Sequence, residues 1–169
     1  MTEAAAPRIL LIGYGNPGRL DDGLGPALAA AIEKAGLPNV TVDIDYQLTV
    51  EHAEQAARHD AVIFADASVT GTAPFSWTRL APAAEMSFST HSVSPEAVLG
   101  LAHQLFGART RGYVLGIRGY RFNEFEESLS AEARSNLAAA QAFLERTIRE
   151  NALEEALDEA AAAPAANRE

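Results

Sequence analysis

The chain has 169 residues, 48% of them hydrophobic and 21% charged, which suits one soluble domain large enough to bury a core without staples. It contains no cysteine, so disulfides, thiolate nucleophiles and Cys-based zinc sites are excluded, and a cytoplasmic location is expected. Thirteen Lys and Arg against 23 Asp and Glu give a net charge of -10, which speaks against nucleic acid as a partner and reads mainly as solubility.

The opening "MTEAAAPR" carries no long apolar run and is not read as a signal peptide; no segment reaches the roughly 18 to 20 apolar residues of a membrane span. "RILLIG" (8–13) is a continuous apolar run ended by glycine, the pattern of a buried parallel strand. "GPALAAAIEKAG" (25–36) predicts a helix with Pro26 in its first turn and Gly36 past its end. "NVTVDIDY" (39–46) predicts a second strand, and "TVEHAEQAARH" (49–59) a helix capped by Thr49. "DAVIFADAS" (60–68) holds a third buried strand, and "PFSWTRL" (74–80) a short edge strand. "SPEAVLGLAHQLFG" (94–107) predicts a helix with Ser94 as cap, and "RGYVLGIRG" (111–119) a further strand. A long helix over 128–151 follows, with Ser130 as its cap. The domain is expected to occupy residues 1–150, and the acidic, Ala-rich tail 151–169 to be partly helical or disordered.

This βαβαβ…αβα order predicts an α/β domain with a mostly parallel sheet and helices on both faces. Ligands of such sheets sit beyond the carboxyl ends of the strands, near the topological switch point. The first three strands deliver the Gly13–Asp22 loop, Asp45 and Asp66 to that rim, and the loop before the 94–107 helix delivers His91.

Gly13, Gly15 and Gly18 satisfy G-x-G-x-x-G after a strand and before a helix, so a nucleotide-binding enzyme is one reading. Asp21 and Asp22 at the end of that loop would repel a phosphate. The acid expected about 20 residues after the fingerprint is missing; Asp43 and Asp45 come later. A P-loop, a G-x-S-x-G elbow and H-E-x-x-H are absent. One of Asp21 and Asp22 is expected to cap the following helix. Asp66 closes the apolar run "AVIFAD", where a carboxylate loses solvent and needs a partner, a cation or a proton. His52, His59 and His103 lie in helical segments and read as surface groups. Asp22, Asp66 and His91 together offer two oxygens and one nitrogen, a set suited to a borderline divalent ion with an open position. Ser92 and Thr90 are poor candidate nucleophiles, because no oxyanion-hole motif accompanies them.

"ILLIGYGNPGRLDDGLGPALA", "VIFADAS" and "STHSVSPEAVLGLA" resemble the [NiFe]-hydrogenase maturation endopeptidases over roughly residues 8 to 150. The resemblance implies a three-layer α/β/α sandwich with a twisted, mostly parallel five-stranded sheet. It also implies removal of the C-terminal extension of the hydrogenase large-subunit precursor after nickel insertion. The family's metal-binding acid, Asp and His fall on Asp22, Asp66 and His91; the first is Glu in some members, and Asp gives a shorter reach. A further family acid after the second strand corresponds, more loosely, to Asp45. The nickel would arrive with the precursor, with other divalent ions able to substitute, and the chain would act as a monomer. The resemblance leaves open whether the ion activates a water or whether Asp22 or Asp66 acts as general base. A chaperone that checks the precursor for nickel without cutting it is a second alternative.

Overall fold

A computed structural model describes residues 5–83 and 93–157. Its elements are β1 (Ile9–Tyr14), a 3-10 turn (Leu20–Gly23), α1 (Leu24–Ala35), β2 (Val40–Asp45), α2 (Glu51–Ala57), β3 (Ala61–Ser68), β4 (Phe75–Leu80), α3 (Pro95–Phe106), β5 (Arg111–Arg118) and α4 (Ala131–Arg149). The five strands form one sheet in the order β2-β1-β3-β5-β4. All neighbours are parallel except β4, which runs antiparallel to β5 at the edge, as its proline and polar alternation suggest.

Alternation along the strands builds two cores. On one face, Ile9 and Leu11 of β1 and Ile63 and Ala65 of β3 pack with Leu24, Leu28 and Ile32 of α1 and Phe143 and Leu144 of α4. On the other face, Leu10 and Ile12 of β1 and Val62 and Phe64 of β3 pack with Ala53 and Ala56 of α2 and Val98 and Leu99 of α3. β1 and β3 are covered on both sides, which is why their sequences read as unbroken apolar runs. The result is a three-layer α/β/α sandwich. Among the described residues no helix is long and apolar enough to cross a membrane.

The caps expected at Ser94 and Ser130 form: their side chains accept the Ala97 and Ala133 N–H groups at 3.1 and 3.2 Å. The cap expected at Thr49 does not. The backbone enters α2 through Val50, which makes no side-chain cap bond, and the Thr49 N–H instead donates to His52 Nδ1 at 2.8 Å. Packing continues past the end of α4. Leu153 and Ala156 are buried in the core, Trp77 Nε1 donates to the Leu153 carbonyl at 3.1 Å, and Glu154 accepts from Tyr113 Oη at 2.6 Å and pairs with Arg79. Trp77 lies flat on Tyr113, ring centroids 5.0 Å apart, and belongs to the core.

Candidate functional site

β1 lies between β2 and β3, so the connections leaving it and returning past it turn to opposite sides of the sheet. The carboxyl ends of β1 and β3 therefore open a crevice. The loop after β1 enters it as the 3-10 turn Leu20–Gly23, and β3 presents Asp66.

The glycines serve the backbone's own packing. Gly15 has φ +142°, and a Cβ there would collide with the Asp22 carbonyl; a Cβ on Gly25 would collide with the carbonyls of Ala65 and Tyr14. The turn and the start of α1 thus pack backbone to backbone against the ends of β1 and β3. Gly25→Ala is expected to destabilise the fold by about 2–3 kcal/mol, because backbone cannot step aside as a side-chain tip can; a denaturation midpoint unchanged from that of the parent chain would contradict this contact.

The two adjacent acids have separate environments. Asp21 is fully buried. Its Oδ2 accepts from Tyr120 N at 2.8 Å, Arg121 N at 3.0 Å and Ser130 Oγ at 2.7 Å, and its Oδ1 accepts from Ser130 N at 2.8 Å. Burial opposes its charge, but the bonds from Ser130, Tyr120 and Arg121 outweigh that and hold the carboxyl below its ordinary value. Asp22 is half-buried, and its Oδ2 accepts from Asn16 N at 2.8 Å. Neither acid caps α1: its N-cap is Gly23, without a side-chain bond. The helix-cap expectation is thus replaced by a clamp at Asp21 and a loop tie at Asp22.

Asp66 is half-buried at the crevice end of β3. One oxygen accepts its neighbour Ala67 N at 2.8 Å, and the Tyr14 phenol donates to the carboxylate. Burial pushes the Asp66 carboxyl up to about 6; Tyr14 and Ala67 N–H pull it down, and the charge of Asp22 adds to the rise. Tyr14 in turn is pushed well above the usual phenol range, first by burial and then by Asp66. Asp22 and Asp66 thus share one crevice closely enough to feel each other's charge. Among the described residues, neither has a Lys or Arg partner. A carboxylate that raises its neighbour's proton affinity favours a cation between the two. His91, with Thr90 and Ser92, lies outside the described residues, as does the tail beyond 157.

One group on the same rim escaped the sequence reading. His52 is 3% exposed, not a surface residue. Its Nε2 faces Asp43 Oδ2 at 3.5 Å and Asp45 Oδ2 at 3.8 Å, at the carboxyl end of β2. A signal was present: His52, Ala53 and Ala56 fall on one face of a short helix, so a surface position for His52 ignored the period. His59 and His103 are half-buried, and each ring bonds a backbone carbonyl at 2.7 Å.

These features define a doubly wound α/β protein whose switch-point crevice carries the carboxylates Asp22 and Asp66. No family model matches the chain, and no curated protein matches it in sequence. Solved structures do match in fold. The hydrogenase maturating endopeptidase HybD from Escherichia coli is 21% identical with a TM-score of 0.64, over 85% of this chain and 93% of that one. The [NiFe] hydrogenase maturation protease HycI from Thermococcus kodakarensis is 21% identical with a TM-score of 0.64, over 84% and 92%. The hydrogenase 2 maturation peptidase from a Thaumarchaeota archaeon is 22% identical with a TM-score of 0.61, over 83% and 97%. The chain therefore has the fold seen in hydrogenase maturation proteases, spanning nearly the full length of each.

Proposed function

We propose that the chain is an endopeptidase that removes the C-terminal extension of a nickel-loaded [NiFe]-hydrogenase large-subunit precursor. The observation that carries this reading is the Asp22–Asp66 pair: two half-buried carboxylates in the switch-point crevice, one with its pKa pushed up to about 6. The fold likeness to proteins named as hydrogenase maturation proteases supports it, as does the loop motif ending in Asp21 and Asp22.

In this reading nickel is part of the substrate. Asp22, Asp66 and His91 complete the coordination of the precursor's ion and so restrict cutting to loaded precursor. The peptide bond presented beside them is hydrolysed by a water whose proton one of the carboxylates accepts or whose pKa the ion lowers. Asp66, held by Tyr14 and Ala67 on a rigid strand, is the better-fixed carboxylate; Asp22 sits on the turn and approaches from the other side.

The test is to incubate nickel-loaded precursor with the protein and follow conversion to the shorter form on a gel. Cleavage is expected with the parent chain and is expected to fall by at least about 100-fold in Asp22→Asn, since a ligand is lost and the remaining ones cannot complete the geometry. Binding of loaded precursor without cleavage by the parent chain would favour the chaperone reading. Full activity in Asp22→Asn would remove this residue from the site.

A further inference from the structure

We propose that Asp43, Asp45 and His52 form a second divalent-cation site, distinct from the Asp22–Asp66 crevice and suited to zinc or a similarly borderline ion. The three donors lie within 4.8 Å of one another. Asp43 and Asp45 alternate onto the same face of β2, the face that α2 covers, and His52 comes down from α2 onto them.

The spacing is that of ligands around an ion. A charge-assisted hydrogen bond would bring the imidazole to about 2.7–2.9 Å from a carboxylate oxygen. Nε2 stands off instead at 3.5 and 3.8 Å. Ligand atoms on a tetrahedral ion with bonds near 2.1 Å are about 3.4 Å apart. Among the described residues, no hydrogen bond reaches Asp43 Oδ2, Asp45 Oδ2 or His52 Nε2; Asp45 spends its other oxygen on Tyr46 N at 2.8 Å. The ring itself is almost wholly buried, whereas the Asp43 and Asp45 side chains are 27% and 42% exposed, so an ion can enter from solvent and keep a water.

The ring must change tautomer to bind an ion. Nδ1 accepts the Thr49 N–H at 2.8 Å, which places the proton on Nε2. Thr49 Oγ1 lies 3.3 Å from the same Nδ1. For an ion to take Nε2, the proton must pass to Nδ1 and the Thr49 N–H must turn away from the ring, leaving the Thr49 hydroxyl as the acceptor that orients the metal-ligating imidazole.

Zinc titration by calorimetry on the full chain tests the site. An Asp22→Asn/Asp66→Asn double variant silences the first pair, so failure of the protease reading leaves this result unaffected. One equivalent of zinc is expected to bind the double variant. Adding Asp43→Asn or Asp45→Asn, both at partly exposed positions, is expected to weaken that binding at least about 10-fold while circular dichroism shows an intact fold. Nitrogen NMR of the double variant is expected to show the His52 proton moving from Nε2 to Nδ1 on loading. No binding by the double variant, or binding indifferent to both added substitutions, would overturn the proposal.

Discussion

Asp21→Ala is expected to lower the stability of the fold by about 3–5 kcal/mol, a large part of the roughly 5–15 kcal/mol that holds a domain of this kind together. The carboxylate is the common acceptor of four hydrogen bonds, from Tyr120 N, Arg121 N, Ser130 N and Ser130 Oγ. Alanine would leave these donors without their acceptor in a buried place, and the cost is their desolvation rather than the loss of one contact. It would also loosen α4, whose cap Ser130 donates to Asp21 while accepting from Ala133 N. Leu20, the residue before Asp21, is held at φ +49°, a left-handed conformation that a leucine adopts only when its surroundings impose it. Asp21→Asn keeps one acceptor oxygen and should fall between the two. Because the folded carboxyl titrates below its ordinary value, its contribution is full above that value and fades as pH falls through the folded one. Denaturant unfolding near neutral pH measures the effect, and an Ala variant within about 1 kcal/mol of the parent chain would show that the clamp is dispensable.

Asp66→Asn is expected to do the reverse: abolish cleavage and, without metal, stabilise the protein near neutral pH. The Asp66 carboxyl is raised to about 6 from an ordinary value of 3.8. For a group raised in the folded state, its favourable contribution is complete below the ordinary value and is lost as pH climbs through about 6. Above that, the fold carries a carboxylate it would rather have neutral, at a cost of at most about 3 kcal/mol. Asparagine removes the charge and can still bond Tyr14 and the Ala67 N–H. The parent chain should therefore lose stability relative to the variant between about pH 4 and about pH 6, and the gap should close when a divalent ion is added. A gap that does not change with pH would mean that burial does not strain this carboxylate. Retained cleavage in the variant would detach Asp66 from the chemistry.

Much of the architecture was readable because its causes are local. Runs such as 8–13 and 60–68 announce strands covered on both faces, and Ser94 and Ser130 announce helix starts through bonds only three residues long. The position of Asp66 at the carboxyl end of β3, beside the strand whose following loop carries Asp22, followed from the strand pattern. What stayed hidden depends on distant partners. Nothing near residue 21 tells it from residue 22; the amides that claim Asp21, those of Tyr120 and Arg121, come from about 100 positions downstream. His52 was misplaced because its partners lie on another element, β2. The return of 151–157 was concealed by a composition rich in Ala and Glu, which does not advertise that Leu153 and Ala156 are core.

That return has a practical consequence. Trp77 is the chain's only tryptophan, and it is sandwiched where β4, α4 and the Leu153 carbonyl meet. β5 stands between it and β3, so its indole is set apart from the acidic crevice. Its emission is a built-in gauge of whether the C-terminal strap remains seated, and ions or substrates bound at the ends of β1 and β3 will not quench it by touching it.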